Sequence, residues 1–227
     1  MEKVHGHRRN GLAEADSAGQ SHRAAQAVNV AAKVAPGCGR SGFRRRGVPM
    51  TIFGSGGRRR VAALLYAEAV AAARAPALYR DFRVADTIEG RYELIVLHVV
   101  LLARRLSSPD DAKLAQALVD FMAADLDRSI RELGVGDLSV GKFMKRLGEG
   151  LYGRAQAYNA ALAVPPPALE QAILRNIHAG IDPGPGGGLL ALMTDYVHNQ
   201  DKHLAGQEIA NIRAGSVDFL TPPDLES

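Results

Sequence analysis

The sequence predicts an all-α protein, a single compact multi-helix domain behind a disordered N-terminal tail, and three observations predict it. Ala and Leu dominate a chain of 227 residues that is only 5% aromatic and has no Trp, and both residues favour helix. From Val61 onward the apolar residues recur at steps of three and four or run continuously, and no stretch demands the period of two of a half-buried strand. Residues 1–49 instead hold one Leu, one aromatic residue and no Ile, without either period, so they cannot bury enough apolar surface to offset their chain entropy.

The net charge of +4 would ordinarily point to nucleic acid or an anionic membrane as partner. Its distribution changes that reading. Residues 1–49 carry nine Lys or Arg against three acids, which leaves 19 of the chain's 28 basic and 21 of its 24 acidic side chains to residues 50–227. The folding part is therefore mildly acidic, at −2. The single Cys38 excludes an intramolecular disulfide framework or a cysteine cluster for zinc or iron–sulfur, and fits a reducing compartment. Residues 1–56 read as a disordered basic segment lacking the apolar run of a secretory signal. Met50 opens MTIFGSGGRRR, which reads like a beginning, so residues 1–49 are expected not to be translated, with a real but disordered tail as the alternative. The helical domain is expected over 57–215, followed by a C-terminal tail over 216–227.

In chain order, a glycine-rich hinge (Gly54, Gly56, Gly57) and the triplet Arg58, Arg59, Arg60 lead into an Ala/Leu helix that Pro76 stops. A second helical pattern starts near Asp86 and becomes the apolar run Leu94–Ala103. Ten residues are too few to span a bilayer, and a run that continues a polar helical stretch into Arg104 and Arg105 fits a helix buried on most sides. Ser108, Pro109, Asp110 and Asp111 form a helix start: Ser108 as cap, Pro109 in first position, two acids at the positive end of the dipole. From there Leu114, Leu118, Phe121 or Met122, Leu126, Ile130 and Leu133 mark one buried face. Gly134 and Gly136 end it. A helix from Ser139 carries Leu151, Tyr158 and Leu162 inward until Pro165–Pro167 stop it. A short helix over 168–179, a Gly/Pro loop over 182–188, a helix over 189–204 and a last turn near Glu208–Ile212 complete the domain.

Motifs for chemistry are weak. Gly136–Lys142 reads GDLSVGK, yet a phosphate-binding loop needs a hydroxyl at the next position, where Phe143 stands, and a strand before it; a turn between two helices is expected. His98 inside the apolar run reads first as a satisfied core histidine, alternatively as a polar hook for a partner helix. Asp195 and His198 are three apart on one face, but His203 points elsewhere; residues 50–227 hold no Glu-x-x-His pair, and the chain has no HExxH or GxSxG. Arg58–Arg60 could meet anionic lipid or RNA, or simply be a solvated helix start. No catalytic residue, metal or cofactor is assigned.

Three segments together resemble the ubiquinol-cytochrome c chaperone family, the bacterial relatives of the mitochondrial assembly factor for cytochrome b. They are VADTIEGRYELIVLHVVLLARRL (Val84–Leu106), QALVDFMAADLDRSIRELGVGDLSVGKFMKRLGEGLYGR (Gln116–Arg154) and the LRNI of Leu174–Ile177, within a resemblance covering roughly Arg60 to Leu204. Gly148 and Gly150 depart from the family pattern, where stronger helix formers are expected. The resemblance implies a non-enzymatic helical assembly factor that binds newly made cytochrome b for ubiquinol:cytochrome c reductase. It also implies a cytoplasmic protein, peripheral at the inner membrane, with the ribosome or a small partner subunit as further contacts and no DNA. The partner-binding residues it implies are Asp86, Glu89, Arg91, Tyr92, Glu93, His98, Asp127, Arg128, Arg131, Asp137, Lys142, Tyr152 and Arg154. An apolar groove between helices 86–106, 109–133 and 139–162, with Asp127, Arg131, Lys142 and Arg154 at its edge, would suit an apolar client; a salt-bridged surface would explain the same charges. The alternative functions are a helical scaffold or adaptor unrelated to respiration and an enzyme using His98 or the Asp195/His198 pair.

Overall fold

A computed structural model describes residues 55–132, 150–165, 167–179 and 188–224. Among these the regular elements are all helices: α1 (Ser55–Ala73), α2 (Pro76–Arg80), α3 (Ile88–Arg105), α4 (Ala112–Glu132), α5 (150–161), α6 (Ala168–Asn176), α7 (Gly188–Gly206) and α8 (Ile209–Arg213). The all-α architecture read from the sequence is the one observed. The disordered segment expected over 1–56 lies outside the described residues except at Ser55 and Gly56. These two residues, with Gly57, open α1 rather than forming a hinge. Burial of Ala62, Leu65, Tyr66, Ala69 and Ala73 lets tertiary packing override the glycine penalty of about 1 kcal/mol per residue.

The centre of the domain is α3. Every residue from Glu93 to Ala103 is buried, as an all-round apolar helix must be, and α1, α4 and α7 pack around it. Its start is a capped turn in which Thr87 Oγ1 accepts the Gly90 amide at 3.1 Å. Gly90 is obligatory there, because a Cβ would stand 2.0 Å from the Ala85 carbonyl oxygen. Its two terminal arginines clamp the end of α7: Arg104 Nε donates to Asp201 at 2.9 Å, and Arg105 donates to the carbonyls of Leu204 (2.9 Å) and Gln207 (2.7 Å). Cations beside the open carbonyls of a helix C-terminus oppose its dipole favourably.

Two helix boundaries differ from expectation. Pro76 does end the first pattern, but it also occupies the first turn of α2, a position its fixed φ suits. Five residues are too few for periodicity to reveal, although Leu78 and Phe82 are fully buried. At the next start, Ser108–Asp111 form a turn and α4 begins at Ala112. Asp111, not Ser108, offers the carbonyl that the Leu114 and Ala115 amides reach at 2.8 and 2.9 Å. The Asp111 carboxylate is engaged elsewhere, by Arg213 Nε and the Ser108 hydroxyl, both at 2.6 Å. The inward face of α4 is as expected at Leu114, Leu118 and Met122, with Phe121 and Leu126 half-buried; the Ile130 side chain and Leu133 lie outside the described residues.

The C-terminal segment is docked at least to Asp224. The Gln200 side-chain amide donates to the Leu220 carbonyl at 2.7 Å and accepts its amide at 3.0 Å, and Gln207 exchanges the same pair with Asp218 at 2.6 and 3.0 Å. Val217 and Pro222 are buried beside them. Helix α1, given no part in the groove expected from sequence, packs closely on both α4 and α3, while α3 and α4 touch each other little. That part of the groove is therefore filled by the chain itself.

Candidate functional site

The polar residues expected to bind a partner fall at two places. The first is the opening turns of α3 and the adjacent α5. Arg91 Nε donates to Asp86 at 2.6 Å in an exposed pair, and Glu89 is exposed on the same turn. One residue further round, Arg154 from α5 forms a two-pronged pair with Glu93, Nε to Oε2 at 2.6 Å and Nη2 to Oε1. Its guanidinium also lies 5.5 Å from the centre of the Tyr92 ring, within cation–π range. Burial pushes the Tyr92 phenol up to about 12, so the ring presents a neutral hydroxyl at every physiological pH. Glu93 is buried at 7% exposure while Arg154 keeps about a quarter of its surface in solvent. Tyr152, two residues before Arg154, accepts from Gln156 at 2.6 Å on the exposed side.

The second place is the last turns of α4. Asp127 and Arg131 pair at 2.8 Å, both partly exposed, as a four-residue spacing permits, and Arg128 is exposed beside them. Asp137 and Lys142, with the whole GDLSVGK stretch, lie outside the described residues. Asp125, half a turn earlier, accepts from the Tyr66 hydroxyl at 3.0 Å and so fastens α4 to α1; burial and then the neighbouring Asp125 raise the Tyr66 phenol.

His98 belongs to neither surface. It is fully buried, with Nδ1 2.7 Å from the Leu94 carbonyl and Nε2 2.8 Å from the Tyr196 hydroxyl. The carbonyl can only accept, so Nδ1 carries the proton and Nε2 accepts from Tyr196. Tyr196 in turn accepts from Gln200 at 2.9 Å, whose amide holds Leu220. This chain of donors fixes the neutral tautomer, and burial lowers the imidazole from 6.5 to about 4. The reading of His98 as a satisfied core histidine is the one its geometry supports. Asp195 is exposed and His198 half-buried on α7, and His203 pairs with Asp218 at 2.9 Å. No group of three His, Cys, Asp or Glu side chains suited to a metal occurs among the described residues.

Sequence reasoning missed the residues that join distant elements: Tyr66, Asp111 with Arg213, Arg104 with Asp201, and Tyr196 with Gln200. Each pairs across 55 or more positions except the last, and spacing along one chain carries no signal of such contacts.

These arrangements define an all-helical protein in which buried polar pairs lock helices together and a charged, aromatic edge is left at the α3–α5 surface. The chain belongs to the ubiquinol-cytochrome C chaperone family, whose family model matches residues 80–219. The crystal structure of the Cbp3 homolog from Brucella abortus is similar to it, with a TM-score of 0.65 and 35% sequence identity over 73% of this chain and 92% of that one. Comparison with curated proteins finds no match. The match begins later than the resemblance read from sequence and runs further, through the docked segment to residue 219.

Proposed function

We propose that this protein is an assembly chaperone that binds newly synthesised cytochrome b and promotes assembly of ubiquinol:cytochrome c reductase. The observation that carries this reading is the family match over residues 80–219, supported by the similarity to the Cbp3 homolog. The client is a polypeptide with apolar helices, so its binder needs an exposed edge that combines aromatic surface with charges of both signs. Asp86, Glu89, Arg91, Tyr92, Tyr152 and Arg154 supply that edge. Glu93 acts behind it by fixing the Arg154 guanidinium, and His98 acts deeper still, by fixing α3 against α7. Asp127, Arg128 and Arg131 on α4, with Asp137 and Lys142, extend the contact. No helix among the described residues is long and apolar enough to cross a membrane, so contact with the inner membrane, in this reading, is peripheral and made alongside the client. No cofactor takes part.

Co-isolation of pulse-labelled cytochrome b with the tagged chain tests this. Arg91→Glu and Tyr152→Ala, both at partly or fully exposed positions, are expected to reduce the recovered label several-fold while circular dichroism stays unchanged. Undiminished recovery with both variants would remove the α3–α5 edge from the contact, and no recovery with the parent chain would remove the client.

A further inference from the structure

A hollow of about 550 Å³ lies between the first turn of α1 and the first half of α4, with no lining residue from the α3–α5 edge. Ala117, Phe121 and Ala124 form its floor, at a spacing of four and three that places them on one helical stripe. This stripe is distinct from the core stripe of Leu114, Leu118 and Met122. Two of its three members are alanines, which allow another helix backbone to approach closely. Phe121 is half-buried and fixed by the Tyr66 ring 5.4 Å away. On the rim stand Arg58, Arg59 and Lys113, with Asp120 as the acid, already accepting from Gln116 at 2.7 Å. No ion pair engages Arg58, Arg59 or Lys113 among the described residues, whereas Arg104, Arg154 and Arg213 each have a carboxylate.

Charge and shape together select the occupant. The chain's own residues 1–49 precede α1 in sequence and carry nine basic and three acidic side chains, so like charges oppose that occupant. A bilayer calls for protruding apolar residues, whereas Phe121 is half-buried against Tyr66 and the other two members are alanines. We propose that the hollow receives an amphipathic helix of a partner protein, with its apolar stripe on Ala117, Phe121 and Ala124 and its flanking carboxylates against Arg58, Arg59 and Lys113. This is helix-in-groove recognition with an acidic signature, and it is independent of the client contact at α3–α5.

The test uses the full chain and a fluorescein-labelled designed helix, with Leu at i, i+3, i+4 and i+7 and Glu on both flanks, followed by anisotropy. Saturable binding is expected. It should weaken about tenfold or more, mainly through faster dissociation and lost steering, in Arg58→Glu/Arg59→Glu and separately in Ala124→Glu. Both variants change exposed or rim positions and leave Phe121 on Tyr66, and circular dichroism verifies their fold. The same peptide with Lys for Glu should not bind, and rising salt should weaken the acidic one. Absence of binding, equal affinity for both variants, or equal binding of the Lys peptide would overturn the proposal. So would co-sedimentation with phosphatidylglycerol vesicles that the same variants abolish, in a chain that ignores the peptide, which would assign the rim to lipid.

Discussion

His98 shows how much one buried side chain decides. Both ring nitrogens are used, one as donor and one as acceptor, so a second proton has no place. Its folded value of about 4 lies below the ordinary 6.5; between these the unfolded state binds more protons, and stability falls as pH falls. The sign is the reverse of a histidine that gains a carboxylate partner. Stability from His98 is complete above pH 6.5 and declines toward pH 4, by about 3 kcal/mol over that window. His178, lowered by burial although its bond to the Phe82 carbonyl opposes the shift, acts in the same direction. Asp111 acts lower: burial pushes its carboxyl up, the Arg213 and Ser108 hydrogen bonds outweigh that and hold it below 3.8, and its contribution is lost only as pH falls further. Urea titrations from pH 7 to 4 check the assignment, since His98→Asn should flatten the slope and lower the stability at pH 7. At the backbone level, Gly90→Ala should cost about 1–3 kcal/mol or more, because its Cβ meets a carbonyl. Gly153→Ala, with nothing within 4 Å of the added methyl, should stabilise by about 0.5–1 kcal/mol. If Gly153→Ala stabilises and yet weakens client binding, the glycine at that exposed position is kept for contact.

At the level of elements, what a single sequence makes legible is periodicity and punctuation. The continuous apolar run of α3, the three-and-four spacing of α4 and the prolines after α5 all appear where expected. What fails is the part set by distant partners. The Ser108 hydroxyl does accept the Asp111 amide at 3.3 Å, but it caps a turn, and α4 starts at Ala112 behind an Asp111 that Arg213 on α8 holds. Gly56 and Gly57 look like a hinge, but the buried stripe of α1 carries the helix through them. The segment after Gly215 reads as a tail because it has no period; Gln200 and Gln207 hold it by side-chain amides that imitate a backbone partner. Of the candidate site, the residues on α3 and α5 were legible as a set only through the family resemblance. Their sorting into exposed contacts (Asp86, Arg91), a half-exposed clamp (Arg154) and buried supports (Glu93, His98) needed the fold. Truncation after Gly215 is expected to lower stability by several kcal/mol, since it removes the two Gln200–Leu220 and two Gln207–Asp218 hydrogen bonds, each worth about 0.5–1.5 kcal/mol, with the burial of Val217 lost in addition. A denaturation midpoint unchanged by the truncation would show that the docked segment contributes nothing.

For the molecule as a whole, the polar chemistry is divided between interior and surface in a way that suits binding. The long-range pairs fasten α3 to α5, α3 to α7 and α4 to α8, and leave the α3–α5 edge and the hollow beside α1 facing solvent. The net charge of +4 arises because residues 1–49 contribute +6, so it says nothing of the helical domain's partner. A chaperone of cytochrome b would be needed to assemble ubiquinol:cytochrome c reductase. Reduced-minus-oxidised spectra of membranes from a strain lacking the gene test that directly. Loss of the b-type haem signal together with reductase activity is expected, restored by the parent chain and not by Arg91→Glu combined with Tyr152→Ala. Normal b- and c-type signals with normal activity in the deletion strain would contradict it.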